Sequence, residues 1–153
     1  MKKLLASLLC LVSPLTQADR LPLPADTPAI YREECGSCHL PYPPQLLRQN
    51  DWQKLMQKLQ QHFGTDAGLN SDAASQITTF LVSNAGKSPA LSSNSTPPRI
   101  SHSAWFQREH RKISASQWQA PTVKSPANCE GCHRQAANGS FSEREIRLPE
   151  STK

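Results

Sequence analysis

The sequence predicts a mainly α-helical protein built from two small units, and three observations lead there. Apolar residues recur at three- and four-residue spacing in short stretches bounded by capping and turn residues. No run reads as a strand of secure length. A stretch rich in Ser, Pro and Asn separates two helical regions and reads as a linker over 87–98.

The chain opens on Met1-Lys2-Lys3 and an apolar run, Leu4 to Leu15, with Thr16-Gln17-Ala18 behind it. This pattern predicts a signal peptide over 1–18, cleaved after Ala18, and an exported chain that starts at Asp19. Cys10 leaves with it. Leu9 stands where a lipid-anchor signal wants a small residue, so no lipid anchor is expected. No other apolar run reaches the roughly 18 residues of a membrane helix.

The first unit spans 19–86. Leu21 to Pro28 is proline-rich and extended. Thr27 as cap and Pro28 at the first position predict a helix through Ile30, Tyr31 and Glu34. Leu40-Pro41-Tyr42-Pro43-Pro44 excludes regular helix, and a prolyl carbonyl there is expected to accept Nδ1–H of His39. Asp51 is expected to cap a helix ending at Gly64, with Trp52, Leu55, Met56, Leu59 and Phe63 as its stripe. The next helix starts near Asn70 or Ser71 and stops around Asn84-Ala85-Gly86. It turns Ala73, Ala74, Ile77 and Leu81 inward, with Phe80 beside them.

The second unit spans 99–153. Ser101 or Ser103 caps a predicted helix through Ile113, with Phe106, His110 and Ile113 on one face. Ser114 to Lys124 reads as irregular, with Trp118 buried. Ser125-Pro126 predicts a further helix up to about Ala137, ended by Asn138-Gly139.

Only 37% of residues are hydrophobic and 13 are proline, so each unit has a thin core. Small domains of this kind usually need a covalent or metal staple. The net charge of +5 falls once Lys2 and Lys3 are removed, too small an excess to argue for nucleic-acid binding.

The staple is visible in the cysteines. Beyond Cys10, all fall in two motifs, Cys35-Gly36-Ser37-Cys38-His39 and Cys129-Glu130-Gly131-Cys132-His133. Cys-x-x-Cys-His reads as c-type haem attachment. Residues three apart share a side of one helical turn, which lets both thiols reach one porphyrin while the histidine meets its iron. Disulfides, zinc or a redox dithiol are the competing readings. Two such motifs with no cysteine left over favour haem.

His39 and His133 are then the proximal ligands. Methionine raises a haem's potential, a second histidine gives a lower one, and an empty position admits a ligand. Met56 lies within its helix stripe and reads as core. His62, on the edge of that stripe, and His110, beside Phe106, are the distal candidates. His102, in a Ser-rich segment, is the spare. Which distal histidine serves which haem stays open on the residues alone.

Several stretches resemble the dihaem cytochrome c family of bacteria. They are Cys35 to His39 with Tyr42-Pro43-Pro44 and Leu46-Leu47, Trp52 through His62-Phe63-Gly64, Pro98-Arg99-Ile100, Trp105-Phe106-Gln107-Arg108-Glu109-His110, and Ser125 to Cys129. The resemblance implies a small class I cytochrome c-like helical domain followed by a less regular haem-binding helical domain. It implies two haem c groups, bis-histidine and low-potential, on His39, His62, His110 and His133. It also implies electron exchange with an oxygen-binding monohaem cytochrome c, and supply from a membrane b-type cytochrome.

The expected function is therefore electron transfer by a periplasmic dihaem cytochrome that is not an enzyme. The alternatives are a peroxidase-like dihaem enzyme and a gas-binding or sensing haem protein, each needing one open iron.

Overall fold

The computed structural model describes residues 19–149; the signal peptide expected over 1–18, Cys10 within it, and residues 150–153 lie outside. Five α-helices run in order: α1 (Ala29–Cys35), α2 (Gln49–Met56), α3 (Ser71–Ser83), α4 (Ala104–Glu109) and α5 (Ala115–Gln119). Among the described residues seven short 3₁₀ turns lie between and after them, and extended pairing is confined to isolated bridges. The mainly α class is as expected.

The core belongs to the first unit. Tyr31 of α1, Leu47, Trp52 of α2, and Ile77, Phe80 and Leu81 of α3 form one buried cluster. Leu55 and Met56 pack on its edge, so Met56 serves the core. Asn70 caps α3 by accepting the Ala73 N–H. Gly86 closes the unit: its N–H donates to the Leu47 carbonyl, and a Cβ there would stand 2.3 Å from the Gln45 carbonyl oxygen.

Several local expectations need correction. Thr27 does not cap α1; its hydroxyl donates to the Pro24 carbonyl, and Pro28 occupies the N-cap position. Asp51 is not the cap of α2 but a first-turn residue behind Arg48. Its carboxylate is buried and accepts the Ser93 N–H at 3.0 Å, so it joins α2 to the segment 87–98.

α2 also stops at Met56, not at Gly64. The Ala67 N–H donates back to the Leu59 carbonyl, and His62 and Thr65 exchange both backbone hydrogen bonds. The two residues between them, Phe63 (φ 52°) and Gly64 (φ 96°), both sit at positive φ, the conformation of a tight two-residue turn. Phe63 thereby leaves the expected stripe and lies exposed, with the Arg99 guanidinium 3.9 Å above its ring.

In the second unit Ser103, fully buried, caps α4, which ends at Glu109 before Ile113. Segment 114–124 is more regular than expected. Ser114 and Gln117 form a capping box that starts α5, and Trp118 on it is half-buried. The helix expected from Ser125 to Ala137 does not form. Two 3₁₀ turns, Cys129–Gly131 and Ala136–Asn138, stand in its place. The Asn128 side-chain amide donates to the Thr122 and Val123 carbonyls, which folds the approach into a loop at the expense of helix.

Strand-like contacts join the segment 19–21 to the segment 139–141. Leu21 N–H donates to the Gly139 carbonyl and Phe141 N–H to the Asp19 carbonyl, both at 2.8 Å. Gly139 has φ 72°, and a Cβ on it would lie 2.5 Å from Pro22 Cα, so this crossing requires glycine.

Candidate haem centres

α1 delivers the first motif. The helix ends at Cys35, and Gly36 to His39 continue as a turn. The His39 Nδ1 lies 2.8 Å from the Leu40 carbonyl oxygen, so the acceptor is leucyl, not prolyl. A carbonyl only accepts, so Nδ1 carries the proton and Nε2 keeps its lone pair for a metal. Tyr42 stacks against His39 at 4.6 Å and 21°. The Pro44 carbonyl, deeper in the same loop, is taken by Trp52 Nε1.

The Phe63-Gly64 turn brings His62 to face His39. Their ring centroids are 6.2 Å apart, with planes 26° from parallel. In the second unit His110, at the end of α4, faces His133 at 6.1 Å, with planes 81° apart. His110 Nδ1 lies 2.9 Å from the Phe106 carbonyl oxygen, which again leaves Nε2 free. Phe106 stacks on His110 at 3.9 Å, and Phe141 lies 5.2 Å from His133.

These spacings fit a metal. A ring nitrogen bonds a metal ion at about 2.0 Å and sits about 1.1 Å from the centroid of a ring with bonds of about 1.33 Å, so two imidazoles on opposite sides of one ion have centroids about 6.2 Å apart. Each pair combines the histidine of one Cys-x-x-Cys-His motif with one from elsewhere in the same unit. Unlike His39 and His110, His133 has its Nδ1 buried with no hydrogen-bond partner among the described residues.

The electrostatics favour neutral ligands. Burial lowers the pKa of His62, helped by His39 and Arg99, and burial with His110 beside it lowers that of His133. Neutral imidazole is the ligating form. Among the described residues the four cysteines of the two motifs form no disulfide. Before attachment, burial pushes the Cys35 and Cys129 thiols up to about 11 and raises that of Cys132.

His102 is exposed at the end of the Ile100–His102 turn and makes no ring contact with either pair among the described residues. Sequence reasoning passed over the role of Tyr42 and of Phe141. Tyr42 was visible as part of a proline-rich loop, but nothing local signals a partner more than eighty residues away.

A family model for dihaem cytochrome c matches residues 31–141. Solved structures agree. The dihaem cytochrome c of Shewanella baltica OS155 is 34% identical with a TM-score of 0.69, over 79% of this chain and 92% of that one. A dihaem cytochrome c from Rhodobacter sphaeroides is 37% identical with a TM-score of 0.67, over 76% of this chain and 98% of that one. No curated protein matches the chain. The chain belongs to the dihaem cytochrome c family and carries that family's two haem c groups, each with its iron.

Proposed function

We propose that this chain is an exported, periplasmic electron-transfer protein whose two haems are each held by two histidines. Cys35 and Cys38 would anchor one haem, with its iron held by His39 and His62. Cys129 and Cys132 would anchor the other, with His133 and His110. The observation that carries this reading is the facing of each motif histidine with a second imidazole at a one-metal spacing, 6.2 Å and 6.1 Å.

When bound, haem iron supplies one-electron chemistry. The chain's own residues set its terms. Two imidazoles per iron leave no coordination position for substrate, so the protein binds, orients and tunes. Leu40 and Phe106 carbonyls fix the rotation of His39 and His110 through Nδ1. Histidine in place of methionine gives low potentials. The partners proposed are an oxygen-binding monohaem cytochrome c and a membrane b-type cytochrome, through small transient contacts.

The test is a set of visible and near-infrared spectra of the oxidised and reduced protein, with and without carbon monoxide. Two low-spin haems, no methionine-to-iron band and no response to carbon monoxide are expected. A native high-spin fraction that binds carbon monoxide would overturn the reading in favour of an open iron.

A further inference from the structure

Tyr42 touches the first haem motif and the backbone just ahead of the second. Its ring stacks on His39, and its hydroxyl donates to the carbonyl of Ala127 at 2.5 Å, across 85 residues of sequence. Ala127 stands two residues before Cys129. The Tyr42 backbone is itself fixed: its carbonyl accepts the hydroxyl of Tyr31 at 2.5 Å. Tyr31 is 2% exposed and packs on Phe80 in the core of the first unit. A chain of two phenols thus runs from that core, past the first haem motif, to the backbone just ahead of the second.

The neighbouring cleft has the same two-sided character. It measures about 390 Å³, and Cys38 and His39 line one wall while Ala127 and Cys129 line the other. One haem-anchoring cysteine of each motif therefore faces the same space.

We propose that Tyr42 is a positioning residue for electron exchange between the two haems: its hydroxyl locks the second motif against the first and so fixes the path between them. The proposal rests on the electron-transfer reading above. The exchange moves one electron, reducing one iron as the other is oxidised, with no proton lost and no change of protein charge. Tyr42 is neither oxidised nor deprotonated, and acts through position alone. Its stack on His39 places the hydroxyl; the hydroxyl places Ala127 and, through it, Cys129.

The experiment compares the holoprotein with its Tyr42→Phe and Tyr31→Phe variants. Tyr42→Phe keeps the ring on His39 and deletes only the link to Ala127. Tyr31→Phe deletes the inner hydroxyl and leaves that link in place. Each is reduced by one electron in a fast photochemical pulse, and redistribution between the two haems is followed optically. Both variants should keep the spectrum of two low-spin haems.

In Tyr42→Phe the redistribution rate should fall by roughly fourfold, because tunnelling decays exponentially with distance and loosening on the order of 1 Å is what a lost positioning contact allows. Amide exchange at 127–129 should rise with it, and Tyr31→Phe, which loosens the Tyr42 backbone but leaves the Ala127 link in place, should slow the redistribution less. A wild-type rate in Tyr42→Phe, or equal slowing in Tyr31→Phe, overturns the proposal. The absence of any redistribution in the wild type would instead sink the electron-transfer reading on which it rests.

Discussion

His110 meets His133 with their planes 81° apart and centroids at 6.1 Å, nearly the perpendicular arrangement. The His39 and His62 planes, by contrast, lie 26° apart at 6.2 Å. This difference bears on the iron. With haem bound, two near-parallel imidazoles would donate into the same iron orbital and split its energy from that of its partner. Two perpendicular imidazoles would treat those orbitals alike. The oxidised protein should therefore give two unlike low-spin electron paramagnetic resonance signals of equal weight, the more anisotropic one from the second unit. A single superimposed signal would mean that the rings rotate to a common angle.

The distal assignments can be separated one at a time. His62→Ala and His110→Ala should each convert one of the two haems to a high-spin form that binds carbon monoxide, leaving the other unchanged. Added imidazole should restore the low-spin spectrum, since the proximal histidine and both thioethers remain. His102→Ala should leave the spectrum as it is, because that side chain is exposed and away from both pairs. A carbon monoxide titration that reads one ligand per protein in the first two variants, and none in the third, is the expected pattern.

Phe106 is buried and carries the His110 ring on its face, at 3.9 Å and 17°, with Trp118 on the same cluster. It also supplies, through its carbonyl, the acceptor for His110 Nδ1. Phe106→Ala keeps that carbonyl and removes the ring. The loss should cost about 3 kcal/mol, the lower end for a buried Phe→Ala change, since the second unit is thin and can collapse. Thermal unfolding should show it. Warming should release a high-spin fraction from the second haem before the first.

The sequence made the haem motifs legible because their chemistry demands fixed spacing. It made α3 legible because a strong cap, Asn70, precedes a clean period of Ala73, Ile77 and Leu81. His62 and His110 were legible as distal candidates, yet the rings they would face were not. His62 reaches His39 only because α2 stops early and Phe63-Gly64 turn at positive φ, a reversal that a helical period running through Phe63 disguises. The second motif read as a helix because Ser125-Pro126 is a good start signal. What overrode it was Asn128, whose amide reaches back five and six residues to two carbonyls, a choice made by tertiary loop closure. The Asp51–Ser93 and Tyr42–Ala127 links were invisible for a simpler reason. Each joins residues far apart in sequence, and neither has a local pattern.

Asp51 gives a last test. Its carboxylate is 6% exposed, lies in the first turn of α2 and accepts the Ser93 N–H from segment 87–98. Ser93 then organises that segment, its hydroxyl oxygen accepting the Arg99 and Ser95 N–H groups. Asp51→Ala leaves the Ser93 N–H without its acceptor, at a cost of about 1–3 kcal/mol. It also removes a negative charge from the positive end of the helix, worth about 0.3–1 kcal/mol. Asp51→Asn retains an acceptor and should lose only about 1 kcal/mol. Denaturant titration measures the totals, and the order should be wild type, Asn, Ala. Amide exchange should accelerate at Ser93, Ser95 and Arg99 in the Ala variant while α3 stays protected. Uniform acceleration across both would mean that Asp51 supports the first unit as a whole, and that its contact with 87–98 is incidental.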